Sequence, residues 1–115
     1  ENLAAEVRRN GVVVFNYNPG VLDVGLTRTL FDSSPAPGSL DAKVADWFHE
    51  QIDTGNGVDP DLSAATLTRL AAGDADALSG RYLTAYDDLD ALIARGPEIA
   101  RSNEYTLGVV TPPDA

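Results

Sequence analysis

Cysteine is absent from this 115-residue chain, histidine and tryptophan occur once each, and only eight residues are Lys or Arg. Without thiols the chain forms no disulfide and no thiolate metal site. The eight basic residues face 18 acidic ones, a formal charge of −10 with Lys43 the single lysine. Such a field repels phosphate backbones and anionic membrane surfaces, so no nucleic acid is expected as a partner. Long apolar runs are also missing. The longest, Val12 to Phe15, is too short to span a bilayer or to form the core of a secretion signal, so no membrane partner is expected and a cytoplasmic location is the default. What is present is globular in composition, 43% hydrophobic and 23% charged. The length fits one domain, with a radius of gyration of roughly 13 Å if compact.

Helix and strand signals alternate along the chain. Leu3, Ala4 and Val7 share one helical face from Glu1 to Arg9, no capping residue opens that helix, and Asn10-Gly11 closes it. Val12-Val13-Val14-Phe15 follows without polar alternation, the pattern of a strand covered on both faces of a parallel sheet, and Pro19-Gly20 ends it. Val21 to Phe31 reads as a short helix with Leu26 and Leu30 on one side, and Asp32 to Leu40 as an exposed loop. Asp41 is the expected N-cap of a helix carrying Val44, Ala45, Phe48 and Ile52, broken at Thr54-Gly55-Asn56-Gly57. Asp59-Pro60 opens the best-marked helix, with Leu62, Leu67, Leu70 and Ala71 inward and Gly73 past its end. A strand over Gly80 to Thr84 comes next. Asp87 then opens a helix bearing Leu89, Leu92 and Ile93 that ends at Gly96-Pro97. Pro97 to Asn103 reads as a further turn or two of helix, Tyr105 to Val110 as a last strand, and residues 111–115 as a tail.

This order is α/β. A doubly covered strand needs neighbouring strands for its backbone and helices on both faces, and the chain supplies little of either. The expectation is the C-terminal part of a larger doubly wound parallel sheet, incomplete without an N-terminal half or a partner chain. A homo-oligomer or a complementing chain would finish it.

The sequence Leu3-Ala4-Ala5-Glu6-Val7, then Asn10-Gly11-Val12-Val13-Val14, then Pro19-Gly20, then Leu78-Ser79-Gly80-Arg81-Tyr82-Leu83 resembles the C-terminal part of a classical short-chain dehydrogenase/reductase. That family is built on a Rossmann-type sheet and acts on NAD or NADP. The resemblance covers residues 1–115, with 31–58 corresponding to the variable substrate loop and helix. It implies that Val12 to Tyr17 is the sixth strand and that the catalytic Tyr and Lys lie just upstream of Glu1. It also implies that Pro19, Gly20, Leu22 and Val24 lie against the nicotinamide, with the Leu22 amide bonded to the carboxamide. The family prefers threonine where Val24 stands, which removes a hydroxyl donor, and Thr27 is the nearest substitute. The glycine-rich phosphate turn has no counterpart, because Gly55-Asn56-Gly57 follows a helix rather than a strand. A tyrosine four residues before a lysine is absent as well, since Ser39 precedes Lys43 at that spacing. The residues present therefore supply a nicotinamide-side turn and a substrate pocket rather than the proton-transfer machinery. Residues Val21 to Leu30 and Asp41 to Ile52 would close over a small carbonyl or alcohol bearing apolar bulk, with Leu26, Phe31, Trp47 and Phe48 as the lining.

Plainer readings stand beside these. Pro19-Gly20 also serves as a simple strand exit. His49 has no His or Cys companion and reads as a helix-surface residue. Asp87, Asp88 and Asp90 complement a helix dipole without needing a cation. Tyr17 and Tyr86 read as structural tyrosines, and Asp74 and Asp76 as loop solvation. A non-catalytic module that pairs with itself or another protein is the alternative function.

Overall fold

A computed structural model describes residues 2–108. The chain is a mixed α/β protein, about 52% helix, with one small parallel sheet. Helix α1 (Asn2–Val7) runs into a 3-10 turn (Arg8–Asn10), and Gly11 closes it in the left-handed region at φ 70°. Then come β1 (Asn16–Asn18), α2 (Leu26–Asp32), α3 (Leu40–Asp53) and α4 (Pro60–Ala72). A 3-10 turn (Asp76–Leu78), β2 (Tyr82–Thr84), α5 (Leu89–Ala94) and α6 (Gly96–Ile99) complete the order. Strands β1 and β2 pair in parallel, Asn16 with Tyr82, Tyr17 with Leu83 and Asn18 with Thr84, and α2 to α4 form the crossover between them.

The core lies against β2 rather than around β1. Leu70, Ala75, Leu78, Leu83, Leu92 and Ile99 are buried together, drawn from α4, the turn after it, β2, α5 and α6, with Phe15 and Tyr17 packed alongside. This corrects the expected doubly covered strand. Val12 is 49% exposed, Val13 to Phe15 are half-buried, and the ladder begins only at Asn16. The Ser79 hydroxyl accepts the Val14 N–H at 3.1 Å where a ladder would put a carbonyl, while the Val14 carbonyl still accepts from Gly80 N at 2.7 Å. Val12 to Phe15 is thus tethered to the segment before β2 without regular pairing. The Cα radius of gyration is 17.8 Å, above the value expected for a compact chain of this length.

Side-chain caps open α3, α4 and α5. The Asp59 carboxylate accepts from Asp61 N at 2.9 Å, Pro60 occupies the first turn, and Gly73 closes α4 at φ 93°, as expected. Its buried face is different, however: Ser63 and Leu70 are buried, whereas Leu62 (55%) and Leu67 (47%) are exposed, as is Ala71. Ser63 is turned inward because its hydroxyl meets the Tyr17 hydroxyl at 3.2 Å. Ser39 rather than Asp41 caps α3, accepting from Ala42 N at 3.1 Å, which leaves Asp41 to complement the dipole in the first turn. Asp88 rather than Asp87 caps α5. Asp87 instead accepts from the Thr84 amide and hydroxyl at 2.7 and 2.9 Å, fixing the turn after β2. Gly96-Pro97 opens α6 rather than only ending α5, and Gly96 lies close against Ala77, where a side chain would crowd it. In α2, Leu30 is half-buried but Leu26 stands 88% exposed. No strand forms over Tyr105 to Gly108, since Tyr105 adopts a left-handed backbone (φ 57°). Its carbonyl nevertheless accepts from Tyr82 N at 2.8 Å. Val109, Val110 and the 111–115 tail lie outside the described residues. No helix among the described residues is long and apolar enough to cross a membrane.

Candidate functional site

Beyond the carboxyl ends of both strands the chain forms an open cleft of about 550 Å³. One wall is the turn that leaves β1. The Asn18 side chain starts it by accepting from Gly20 N at 2.9 Å and donating to the Tyr82 hydroxyl at 3.0 Å. Gly20 turns left-handed at φ 81°, and a Cβ there would collide with Val58 and crowd the Tyr86 hydroxyl. Only glycine meets both the backbone and the packing requirement. Val21 then bridges to the loop after α3, its carbonyl accepting from Val58 N at 2.8 Å.

Tyr86 locks this wall. Its hydroxyl accepts from Val21 N at 3.0 Å and donates to the Asn56 carbonyl at 2.8 Å, joining the segment after β2 to the turn after β1 and the loop after α3. The opposite wall is α3, where Trp47 and Phe48 pack edge to face with ring centroids 5.0 Å apart. Gln51 sits one turn further along the same helix. Every residue lining the cleft is uncharged. With the Tyr86 hydroxyl committed on both sides, the cleft can bind, orient and dehydrate a neutral molecule but has no free acid or base of its own.

The structure brings Gly20, Trp47 and Phe48 together in this cleft. Pro19 is exposed beside it and Leu22 is half-buried next to the turn. Val24 (44% exposed) and Leu26 lie outside the cleft lining. Phe31 lines a separate depression with Pro35, Pro37 and Ala45, and stacks on His49 at 3.8 Å to join α2 to α3. Sequence reasoning missed Asn18 and Asn56, and it took in Val21 and Gln51 only as members of the segments Val21 to Leu30 and Asp41 to Ile52 expected to close over a substrate. The i,i+3 and i,i+4 spacing of Gln51 from Phe48 and Trp47 was a usable signal, and the Asn two residues before a turn glycine was another. Asn56 had none, because only the Tyr86 hydroxyl brings it in. Among the described residues no cluster of three or more His, Asp or Glu side chains converges as a metal site. No family model matches this chain, and no curated protein or solved structure matches it either.

Proposed function

We propose that this chain is the substrate-side part of an NAD- or NADP-dependent short-chain oxidoreductase. The cleft would hold a small carbonyl or alcohol beside the turn that receives the nicotinamide. The observation that carries this reading is the position of the cleft at the carboxyl ends of two parallel strands, where open α/β sheets bind their ligands. The turn itself fits the role: among the described residues the Leu22 amide has no protein acceptor, which leaves it free for a carboxamide oxygen. Val24 offers no hydroxyl. When bound, a nicotinamide would give a hydride to a carbonyl or take one from an alcohol. The chain's own contribution is to orient the substrate against Trp47 and Phe48 and to exclude water from it, while the residues that move the proton belong upstream of Glu1.

The test is turnover by the full-length protein, followed at the nicotinamide absorbance with a panel of neutral aromatic and alicyclic alcohols. Trp47→Ala should raise KM by about tenfold with a smaller change in kcat, because an aromatic contact that binds ground and transition states alike affects mainly KM. Absence of turnover with either cofactor across the panel would sink the reading.

A second reading, a self-associating or protein-binding module, draws on the surface. The chain exposes 7990 Å², against roughly 6,000 Å² expected for a compact monomer of this mass. Leu3, Val12, Leu62 and Leu67 are among the apolar side chains left open.

A further inference from the structure

The arginines of this acidic chain fall into two groups. Arg28 is held by Asp23 and Asp32, Arg69 by Asp74 and Asp90, and Arg95 by Glu98 and Glu104. Arg8, Arg9, Arg81 and Arg101 have no carboxylate partner among the described residues, although the chain carries 18 acidic side chains. Arg8, Arg81 and Arg101, but not Arg9, line one recess of about 300 Å³, and no carboxylate among the described residues lines it with them. The recess lies between α1, the segment leading into β2 and the turn after α6, at the opposite end of the strands from the cleft.

The recess is built rather than incidental. Arg81 is only 8% exposed. Its Nη2 is spent on the carbonyls of Ile99, Ala100 and Ser102, its Nε is enclosed without a partner, and its Nη1 bonds to no protein group among the described residues. Ser79 accepts from Val14 N, which leaves its own hydroxyl hydrogen free to donate. Glu98 is near enough to feel Arg101, but its carboxylate is bonded to Arg95. Buried or clustered cations without counter-charge are costly, and an anion that accepts from guanidinium and hydroxyl donors together offsets that cost.

We propose that this recess binds a phosphate group, either the free ion or one carried on a small molecule, with Arg8 and Arg101 closing over an anion seated against Arg81 and Ser79. Three arginines lining one recess match a dianion better than a monoanionic carboxylate. The volume leaves room for the remainder of a small ester. The site is remote from the cleft, and the proposal stands whether or not the chain is an oxidoreductase.

Thermal melting of the full-length protein in inorganic phosphate, and separately in glycerol phosphate, against chloride at equal ionic strength tests it. Phosphate at ~10 times its Kd should raise Tm by about 5 °C, saturably. The double variant Arg8→Ala/Arg101→Ala, both side chains exposed, should lose that rise, and the control Arg9→Ala should keep it. A larger effect of glycerol phosphate identifies an esterified ligand, and a larger effect of inorganic phosphate identifies the free ion. No rise beyond chloride with either probe, or an equal rise in the double variant, overturns the proposal.

Discussion

Arg81→Ala is expected to destabilise the chain by about 3 kcal/mol and to lower Tm by roughly 15 °C in thermal denaturation. The side chain sits at the start of β2, and its Nη2 donates to Ile99 O at 2.9 Å, Ala100 O at 3.3 Å and Ser102 O at 3.0 Å. Those carbonyls end α6 and the turn after it, where no further helix provides donors. Removing the guanidinium strips the Ala100 and Ser102 carbonyls of their donor and leaves the Ile99 carbonyl with only the Ser102 amide and hydroxyl, next to an Ile99 side chain that is fully buried. Arg81→Lys should recover only part of the loss, since one ammonium on a flexible stem cannot reproduce the fork. If Arg81→Ala melted with the parent chain, water would have to reach these carbonyls, and the link between β2 and α6 would carry no stability.

Gly20→Ala should cost about 3 kcal/mol, against about 1 kcal/mol for Gly11→Ala, when both are followed by denaturant unfolding. Both glycines have left-handed backbones, at φ 81° and 70°. They differ in what a methyl group would meet. Gly11 faces open space, whereas a Cβ on Gly20 runs into Val58 and crowds the Tyr86 hydroxyl. The extra cost therefore measures how tightly the turn after β1 is clamped to the loop after α3. The same substitution should disturb ligand binding in the cleft, because Gly20, Val21 and Tyr86 form one wall of it. Equal costs at the two glycines would mean the clamp is loose and the wall adaptable.

Where the chemistry is local, the residues are readable in advance. The Asp59-Pro60 start and Gly73 end of α4 depend on a carboxylate two residues from an open amide and on a residue that tolerates positive φ. The Asn10-Gly11 ending and the Pro19-Gly20 exit rest on the same kind of reasoning. Errors of one or two residues arose where several capping residues compete, as with Ser39 and Asp41 or Asp87 and Asp88. There the choice depends on which side chain has a second task, and Asp87 is taken by Thr84. The site was legible in part for the same reason. The resemblance pointed to Gly20 and helical spacing to the Trp47-Phe48 pair, whereas Tyr86 reaches across to Asn56 and Val21 through a hydroxyl whose partners lie 30 and 65 residues away.

Residue order alone determined the alternation of helices and strands, the acidic character of the surface and the principal chain breaks, because each follows from neighbours within a turn or two. Tertiary packing decided that Val12 to Phe15 stays outside the regular ladder, that the core gathers on β2, and that the cleft forms beyond Asn18 and Thr84. It also decided that three arginines from distant parts of the chain line one recess that no carboxylate among the described residues shares. A hydroxyl, a guanidinium and a glycine each serve several partners far apart in sequence, and those partners exist only once the chain has folded.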